Sequence, residues 1–573
     1  MSIDAAGFED PIALEGGKKS RKNLTNGRLR LVIMFLILAF GAIGVRLVML
    51  GVAQAGDIGA QTARAAAAPA RPPIVDRNGR DLAMDILVPS LYASPRQIID
   101  LDEAVEKLSA ELPDLDREWL REKLDGNEGF VWIKREMSPA AQERVFNLGI
   151  PGINFRTESK RYYPGRNVAS HVLGSVNVDN QGIAGMEKYL DSDEFGIVRL
   201  AQNAQAGSSA MLSIDLRVQY ALRDELADAI ERYQAIAAAG VIVDVATGEV
   251  LAMASLPDFD PNDPRSALEE GRFNRITAGT FELGSTFKTV TMAGALDSGA
   301  VQITDEFDAR EPIRFGRFTI NDYRGKRRIL SLPEVYKFSS NIGTIRVMQA
   351  MGKDNYRAFL TRVGFDDALA IELPETKLSS IPHVFSEVGA ATASFGHGLS
   401  ITPLHMATAV AAFVNDGIMV PPTLLLRSKE QAQALGTRVI SSATSLQIRY
   451  LMRLNALEGS GRRMNRISDG YLVGGKTGTA DKVVDGRYDD SKNFTAFASA
   501  FPMDDPQYAM VILVDEPKRE NEQSGTTAGW NAGEVTGRVV QKIAPILGIM
   551  PNFSELSDAA MVPLELRGAD LSD

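Results

Sequence analysis

The chain lacks cysteine altogether and has only four histidines among its 573 residues, namely His171, His383, His397 and His405. The absence of cysteine excludes disulfides, zinc–thiolate sites and thiol nucleophiles. None of the histidines stands in an H-E-x-x-H pattern, which would place two metal ligands on one face of a helix. We therefore expect neither a metal nor another cofactor.

An excess of positive charge is also missing, because the formal net charge is −11 at pH 7. A protein that binds nucleic acid needs a basic face to neutralise phosphates. We therefore expect no nucleic-acid partner. The length predicts two or more domains, since the core of a single soluble domain rarely grows beyond roughly 250–300 residues.

One apolar run is long enough to cross a bilayer. Residues 31–52 are apolar except for Arg46, and as a helix they would span roughly 33 Å, against roughly 30 Å of hydrocarbon. Six lysines and arginines lie between positions 18 and 30, and the positive-inside rule retains them in the cytoplasm. We predict a cytoplasmic tail at 1–30, a transmembrane helix at 31–52 and an exported remainder. The alternative is a cleaved signal peptide that ends near the alanine-rich stretch 63–70.

The exported part divides into two regions of different character. Residues 53–212 begin with an alanine- and proline-rich tether and continue as short apolar runs and turns, which predicts a mixed α/β spacer. From residue 213 onward, an amphipathic helix, two β-branched runs joined by A-T-G and a late strand near 508–516 predict an antiparallel sheet covered by helices. We therefore predict an α+β chain with a second domain at 213–555 and a tail at 556–573.

The first candidate for chemistry is an S-x-x-K motif formed by Ser285 and Lys288. Residues at i and i+3 share a helical face, so the amine can reach the hydroxyl. A place in the first helical turn favours negative charge on the serine oxygen, and burial favours a neutral lysine. The pair suits a serine nucleophile with a lysine base. Alone it proves little, because S-x-x-K is expected by chance roughly twice in a chain of this length.

Two further motifs follow in chain order. Ser339 and Asn341 form S-x-N in a helical stretch, although Ser175 and Ser491 offer the same pattern as ordinary turn or cap residues. The segment K-T-G-T at 476–479 is more specific, since four fixed residues occur by chance in under roughly 1% of such chains. Its rival interpretation is a phosphate-binding loop, which the lack of a helical pattern after the motif disfavours.

The order S-x-x-K, S-x-N, K-T-G is that of penicillin-recognising acyl-transfer enzymes. The chain resembles the class B penicillin-binding proteins, of the division-specific type, over about residues 31–540. The segments that carry this resemblance beyond the three motifs are 74–83, 161–174, 185–187, 246–262, 273–275, 395–404 and 414–417. The resemblance implies a membrane-anchored mixed α/β pedestal followed by a transpeptidase domain similar to serine β-lactamases.

This sequence departs from the family pattern at two places. The usual E-P-G-S before the nucleophile is E-L-G-S at 282–285, which loses a rigid proline without changing a reacting group. The usual A-P-x-F is missing after Trp530, so the predicted end of the second domain does not rest on the family pattern.

The resemblance implies catalytic roles for Ser285, Lys288, Ser339, Asn341 and Lys476. Ser285 would attack the penultimate D-alanine of a peptidoglycan stem pentapeptide, and neutral Lys288 would take its proton. Ser339 would relay a proton to the leaving amine beside the positive charge of Lys476. Asn341 would hold the substrate amide and Lys288 in register.

The resemblance also implies a substrate-binding role for Thr477, Gly478 and Thr479. The two threonine hydroxyls would bind the terminal carboxylate of the stem peptide. The backbone N–H groups of Ser285 and Thr479 would form an oxyanion hole, in which the loss of one donor typically slows the reaction by about 10²–10³.

The implied function is a D,D-transpeptidase that cross-links stem peptides of the cell wall at the division septum and is inhibited by β-lactams. Such a chain would span the inner membrane once, with its N-terminus in the cytoplasm and its bulk in the periplasm. The implied partners are a D-Ala-D-Ala donor, an amine acceptor, a shape-and-division family glycosyltransferase and other division proteins.

The sequence disfavours three of four alternatives to this function. An elongation-type enzyme of the side wall usually has Asp at the end of the middle motif, so Asn341 favours division. A bifunctional class A protein is disfavoured because E-D-x-x-F is absent, and a β-lactamase because E-x-x-L-N is absent. A β-lactam-sensing or scaffolding receptor without turnover stays open.

Overall fold

The structure is a computed structural model that describes residues 33–46, 71–196, 208–484 and 487–567. The chain forms two units, Met1–Pro69 and Ala70–Asp573. In the first unit the described residues form one helix, α1, over 33–46. Across the described ranges, no helix has both the length and the hydropathy to span a bilayer.

All five predicted segments lie partly or wholly outside the described residues. The residues concerned are the whole of the predicted cytoplasmic tail 1–30, 31–32 and 47–52 of the predicted membrane helix, 53–70 and 197–207 of the predicted pedestal, 485–486 of the predicted second domain, and 568–573 of the predicted C-terminal tail. The predicted domain boundaries remain predictions.

The second unit begins with the pedestal predicted from the sequence, a small α/β module. Its strands are β1 (Ile74–Val75), β2 (Asp81–Ala93), β3 (Val131–Lys134), β4 (Ile153–Tyr162), β5 (Ser175–Val176), β6 (Gly182–Ala184) and β7 (Ala210–Met211). Its helices are α2 (Leu101–Glu111), α3 (Arg117–Leu124), α4 (Pro139–Phe146), α5 (Ser170–Leu173), α6 (Gly185–Leu190) and the described part of α7 at 193–196. Strand β2 pairs with β1, β3 and β4, and it therefore holds the sheet together.

A buried carboxylate joins several parts of the pedestal. Glu187 is fully buried, and its two oxygens accept hydrogen bonds from Arg71 at 3.0 Å and from Arg161 at 2.6 Å. Arg161 also pairs with Asp85 on β2 at 3.1 Å. These contacts fix the first described residue of the second unit and β4 onto α6, because each buried charge has a charged partner.

The rest of the second unit contains the predicted antiparallel sheet. Its strands are β8 (Ala237–Asp244), β9 (Val250–Leu256), β16 (Gly474–Val484), β17 (Arg487–Phe501) and β18 (Tyr508–Asp515), in the order β16-β17-β18-β8-β9. Short strands between them are β10 (Glu306–Asp308), β11 (Ile313–Phe315), β12 (Phe318–Ile320), β13 (Ile329–Ser331), β14 (Ile418–Met419) and β15 (Thr437–Arg438). Strand β16, which carries K-T-G-T, is therefore an edge strand.

Helices accompany this sheet, as the sequence predicts for an α+β domain. They are α8 (Leu216–Tyr233), α9 (Lys288–Asp297), α10 (Leu332–Lys337), α11 (Asn341–Met351), α12 (Lys353–Arg362), α13 (Glu387–Ala393), α14 (Pro403–Val414), α15 (Lys429–Leu435), α16 (Ser442–Glu458), α17 (Arg462–Ile467), α18 (Ala532–Ile546), α19 (Glu555–Met561) and α20 (Leu564–Arg567).

Alternation along β18 explains why helices cover both faces of the sheet. Successive side chains of a strand point to opposite faces. Met510, Ile512 and Val514 pack in one apolar cluster, which includes residues of α8 and α18. The intervening Val511 and Leu513 pack in another cluster, which includes residues of α9 and α14. Since every residue of this stretch is apolar, the strand is buried on both sides.

We expect Glu187→Ala to lower the free energy of unfolding of the pedestal by about 3–5 kcal/mol, because the substitution leaves two buried guanidinium groups without their shared partner. Urea unfolding followed by tryptophan fluorescence measures this, since Trp119 and Trp132 lie in the pedestal. The matched control is Glu103→Ala, which removes an exposed ion pair to Lys107 and should cost at most about 1 kcal/mol. Equal effects of the two substitutions would contradict the prediction.

Candidate active site

Ser285 lies on a short 3₁₀ turn, Gly284–Phe287, that leads directly into α9. Gly284 has a φ of +53°, and a Cβ at this position would lie 2.8 Å from the carbonyl oxygen of Thr479. A Cβ on Gly478 would lie 2.1 Å from the carbonyl oxygen of Leu283. The turn and the edge strand β16 thus touch backbone to backbone, which only glycine at both positions permits. Ser285 is thereby placed beside the K-T-G-T strand.

Lys288 is fully buried at the first turn of α9, and the middle motif holds its amine. Its Nζ lies 2.6 Å from the carbonyl oxygen of Ser339, 3.1 Å from Ser339 Oγ and 2.7 Å from Asn341 Oδ1. In the described part of the chain, no hydrogen bond joins this amine to Ser285 Oγ. The predicted contact of Lys288 with Asn341 is present, whereas the direct contact with Ser285 is not formed.

Ser339 lies between α10 and α11 and brings the three motifs together. Its φ is +55°, a left-handed conformation that is uncommon for a residue other than glycine. Its Oγ accepts from Lys288 Nζ and also from Lys476 Nζ, at 3.0 Å. One hydroxyl therefore contacts the lysine of the first motif and the lysine of the third, although these residues are far apart in sequence.

Burial sets the protonation of the two lysines. It lowers the pKa of Lys288 well below its usual value; the nearby positive charge of Lys476 lowers it further, and Asp322 opposes both effects. Burial also lowers the pKa of Lys476, to about 7. A buried amine resists protonation because the charged form loses its hydration. A neutral amine suited to accept a proton is thus available near neutral pH.

Asp322 is a site residue that the motifs did not reveal. Its Oδ1 accepts hydrogen bonds from the backbone N–H groups of Asn341 and Ile342, and its Oδ2 accepts from Ser340 Oγ at 2.7 Å. A carboxylate is favourable at a helix N-terminus, where it satisfies free N–H groups. Asp322 therefore fixes the start of α11 and, with it, Asn341. No motif in the sequence links this aspartate to S-x-N.

The third motif is held by two residues that the sequence analysis also missed. Thr477 Oγ1 shares a hydrogen bond with Ser460 Oγ, and Asn455 Nδ2 donates to the carbonyl oxygen of Gly475 at 2.7 Å. Thr479 Oγ1 accepts from the backbone N–H of Ala528 at 3.1 Å. Because the Thr479 oxygen serves as an acceptor, its own proton is free to donate to a ligand.

The segment 395–404 closes the other side of the serine turn. A Cβ at Gly396 would lie only 2.0 Å from the carbonyl oxygen of Gly284, so this loop packs directly against the turn. Glu282 accepts from Gly398 N at 3.0 Å and from the Tyr488 hydroxyl at 3.2 Å. The segment 395–404 and strand β16 therefore both pack against the turn that carries Ser285.

The chain matches two known protein families. A family described as the penicillin binding protein transpeptidase domain matches residues 238–537. A second, described as the penicillin-binding protein dimerisation domain, matches residues 66–200.

Relatives at 30% identity or more support the same family, and a solved structure of lower identity supports the fold. The chain is 38% identical to the probable peptidoglycan D,D-transpeptidase FtsI of Caulobacter vibrioides, over 84% of this chain and 82% of that relative. It is 30% identical to the probable peptidoglycan D,D-transpeptidase PenA of Neisseria gonorrhoeae, over 96% and 98%. Among solved structures, penicillin binding protein 3 of Mycobacterium tuberculosis complexed with aztreonam is similar, with a TM-score of 0.64 and 23% identity, over 84% of this chain and 97% of that one.

We expect Asp322→Ala to lower kcat/KM for acylation of the site by a penicillin by about 10²-fold, because a small displacement of Asn341 and Ser339 misplaces the groups that hold Lys288. Asp322→Asn retains an oxygen for the two backbone N–H groups and should recover most of the rate. Stopped-flow acylation with a chromogenic β-lactam measures both variants. A poor rate in the Asn variant as well would mean that the charge matters more than the anchoring.

The pH at which acylation becomes fast should move in opposite directions in two variants. Lys476→Gln removes a positive neighbour, so the protonated form of Lys288 becomes less unfavourable, its pKa rises and the acid limb of the pH–rate profile moves to higher pH. Asp322→Asn removes a negative neighbour, so the same limb should move to lower pH. Acylation rates across pH 5–9 test this. A limb that stays in place in both variants would exclude Lys288 as the titrating base.

Proposed function

We propose that this chain, which belongs to the penicillin binding protein transpeptidase family, cross-links cell-wall stem peptides through an acyl-enzyme on Ser285. Its activity is that of a peptidoglycan D,D-transpeptidase that binds β-lactams. The observation that carries the proposal is the meeting of both lysines on Ser339 beside the serine turn.

In the acylation step, the Ser285 oxygen attacks the carbonyl carbon of the penultimate D-alanine and gives its proton to neutral Lys288. The C–N bond to the terminal D-alanine breaks as Ser339 passes its hydroxyl proton to that amine and takes a proton in turn from Lys288, which becomes neutral again. The Lys288 amine must turn from Ser339 and Asn341 toward Ser285 for this step. Hydrogen bonds of this kind often form fully only when substrate is bound. An amine of a second stem peptide then attacks the ester carbonyl and gives a proton to neutral Lys288. The bond from the acyl group to the Ser285 oxygen breaks, that oxygen takes the proton from Lys288, and the new amide bond completes the cross-link.

The edge strand β16 suits an extended peptide. An unpaired strand edge offers backbone N–H and C=O groups to a ligand that adds as a further strand. Thr477 and Thr479 would bind the terminal carboxylate, and Gly478 allows β16 to approach the serine turn. The backbone N–H groups of Ser285 and Thr479 would hold the oxyanion, which is consistent with the close approach of Gly284 to Thr479.

The cellular role that we propose is cross-linking at the division septum. The end of the middle motif, Asn341, supports division over side-wall elongation. We further propose that residues 31–52 anchor the chain in the inner membrane with the N-terminus in the cytoplasm. Through that segment and the pedestal, the chain would work with a shape-and-division family glycosyltransferase and other division proteins. A fluorescent fusion that localises along the side wall instead of midcell would contradict the septal role.

Ser285→Ala should abolish both covalent labelling by fluorescent penicillin and the formation of cross-links from stem pentapeptides. The matched control is Ser298→Ala at the exposed end of the same helical segment, where labelling and cross-linking should persist. Gel fluorescence and chromatography of the cross-linked products measure the two activities. Cross-links made by the Ser285→Ala variant would refute the nucleophile. Labelling of the unaltered protein without any cross-linking would instead indicate a receptor.

A further inference from the structure

A cluster of exposed cations lies beside the active site in a chain of net charge −11. The strands β11 and β12 form a hairpin, and a loop continues from it to β13. We call the exposed cations of this segment the basic hairpin patch. It consists of Arg314, Arg317, Arg324, Lys326 and Arg327.

The cations of this patch have no carboxylate partners among the described residues. The arginines just outside it are paired, Arg310 with Asp308 at 2.8 Å and Arg328 with Glu334. The one aspartate within the segment, Asp322, turns inward to the start of α11. Five like charges on one exposed segment repel one another, so an anionic ligand would relieve the repulsion.

Three of these cations lie within cation–π distance of an aromatic ring. Arg317 lies 5.3 Å from the ring of its neighbour Phe318, and Arg324 lies 5.5 Å from that of Tyr323. Lys326 Nζ lies 4.6 Å from the ring of Phe338. A cation placed over a ring loses less side-chain freedom when it binds a ligand, because it is already partly ordered.

The patch is fixed to the middle motif. Asn341 Nδ2 donates to the carbonyl oxygen of Asn321 at 3.2 Å, and Asp322 binds the backbone of Asn341. Phe338, under Lys326, immediately precedes Ser339. A ligand on the patch would therefore lie next to the group proposed to relay the proton.

We propose that the basic hairpin patch binds free carboxylates of the stem peptides and so favours carboxylate-bearing stems over amidated ones. This inference rests on the function proposed above. Two features favour a peptide carboxylate: the patch is cationic, and it adjoins the middle motif of a site proposed to accept peptides. Arginine is well suited to such a ligand, because its planar fork can bind both oxygens of a carboxylate.

The test compares two synthetic stem peptides with the same terminal carboxylate. In one peptide the other carboxylates are free, and in the other peptide they are carboxamides. For the unaltered full-length chain, we expect kcat/KM to be about tenfold higher for the peptide with free carboxylates than for the carboxamide peptide. Several exposed ion pairs of modest strength would give a difference of this size. The triple variant R314Q/R317Q/R324Q should lose this preference. The control K429Q/R462Q/R466Q removes the same charge from exposed positions elsewhere in the second domain and should keep it.

Titration with fluorescent penicillin counts the competent sites in each preparation, so that every rate refers to folded enzyme. Failure of the unaltered chain to be labelled would overturn the proposed function itself. Normal labelling with equal rates for the two peptides would overturn only the role of the patch. An equal loss of preference in both triple variants would also overturn it, because net charge alone would then explain the effect.

Discussion

The hydroxyl of Ser339 is shared by two buried lysine amines, and the arrangement of the whole site depends on that shared contact. Two protonated lysines so close together in a buried site would repel strongly, and burial already disfavours their charged forms. Burial lowers the pKa of both lysines, and the charge of Lys476 lowers that of Lys288 further. Burial disfavours the protonated form of any lysine. At Lys288 it therefore leaves a neutral amine that can act as a base.

Next to this contact, the serine turn packs directly against β16 and the segment 395–404. Glycine supplies this closeness at Gly284, Gly396 and Gly478, where any Cβ would overlap neighbouring backbone. The large helix-covered sheet behind them supplies the rigidity, because β18 is packed on both faces. A rigid support matters here, since a misplacement of about 1 Å can cost about 10²-fold in rate.

Asp322 links the interior of the site to its surroundings. Inward, its carboxylate binds the first N–H groups of α11 and opposes the fall in the pKa of Lys288. Outward, it anchors the segment that carries the exposed cations Arg324 and Lys326. One aspartate thus couples the position of the middle motif to that of the neighbouring surface.

The sequence alone determined the helix-covered sheet and the chemistry of the site. The amphipathic helix after residue 213, the two β-branched runs and the late strand near 508–516 indicate an antiparallel sheet covered by helices, and the three motifs in order indicate a serine–lysine acyl transfer. Only the tertiary structure decided that the Lys288 amine lies on Ser339 instead of Ser285, and that Asp322 and Ser460 support the motifs. These contacts join residues with no regular spacing, and pKa values depend on burial, so neither leaves a local pattern in the sequence.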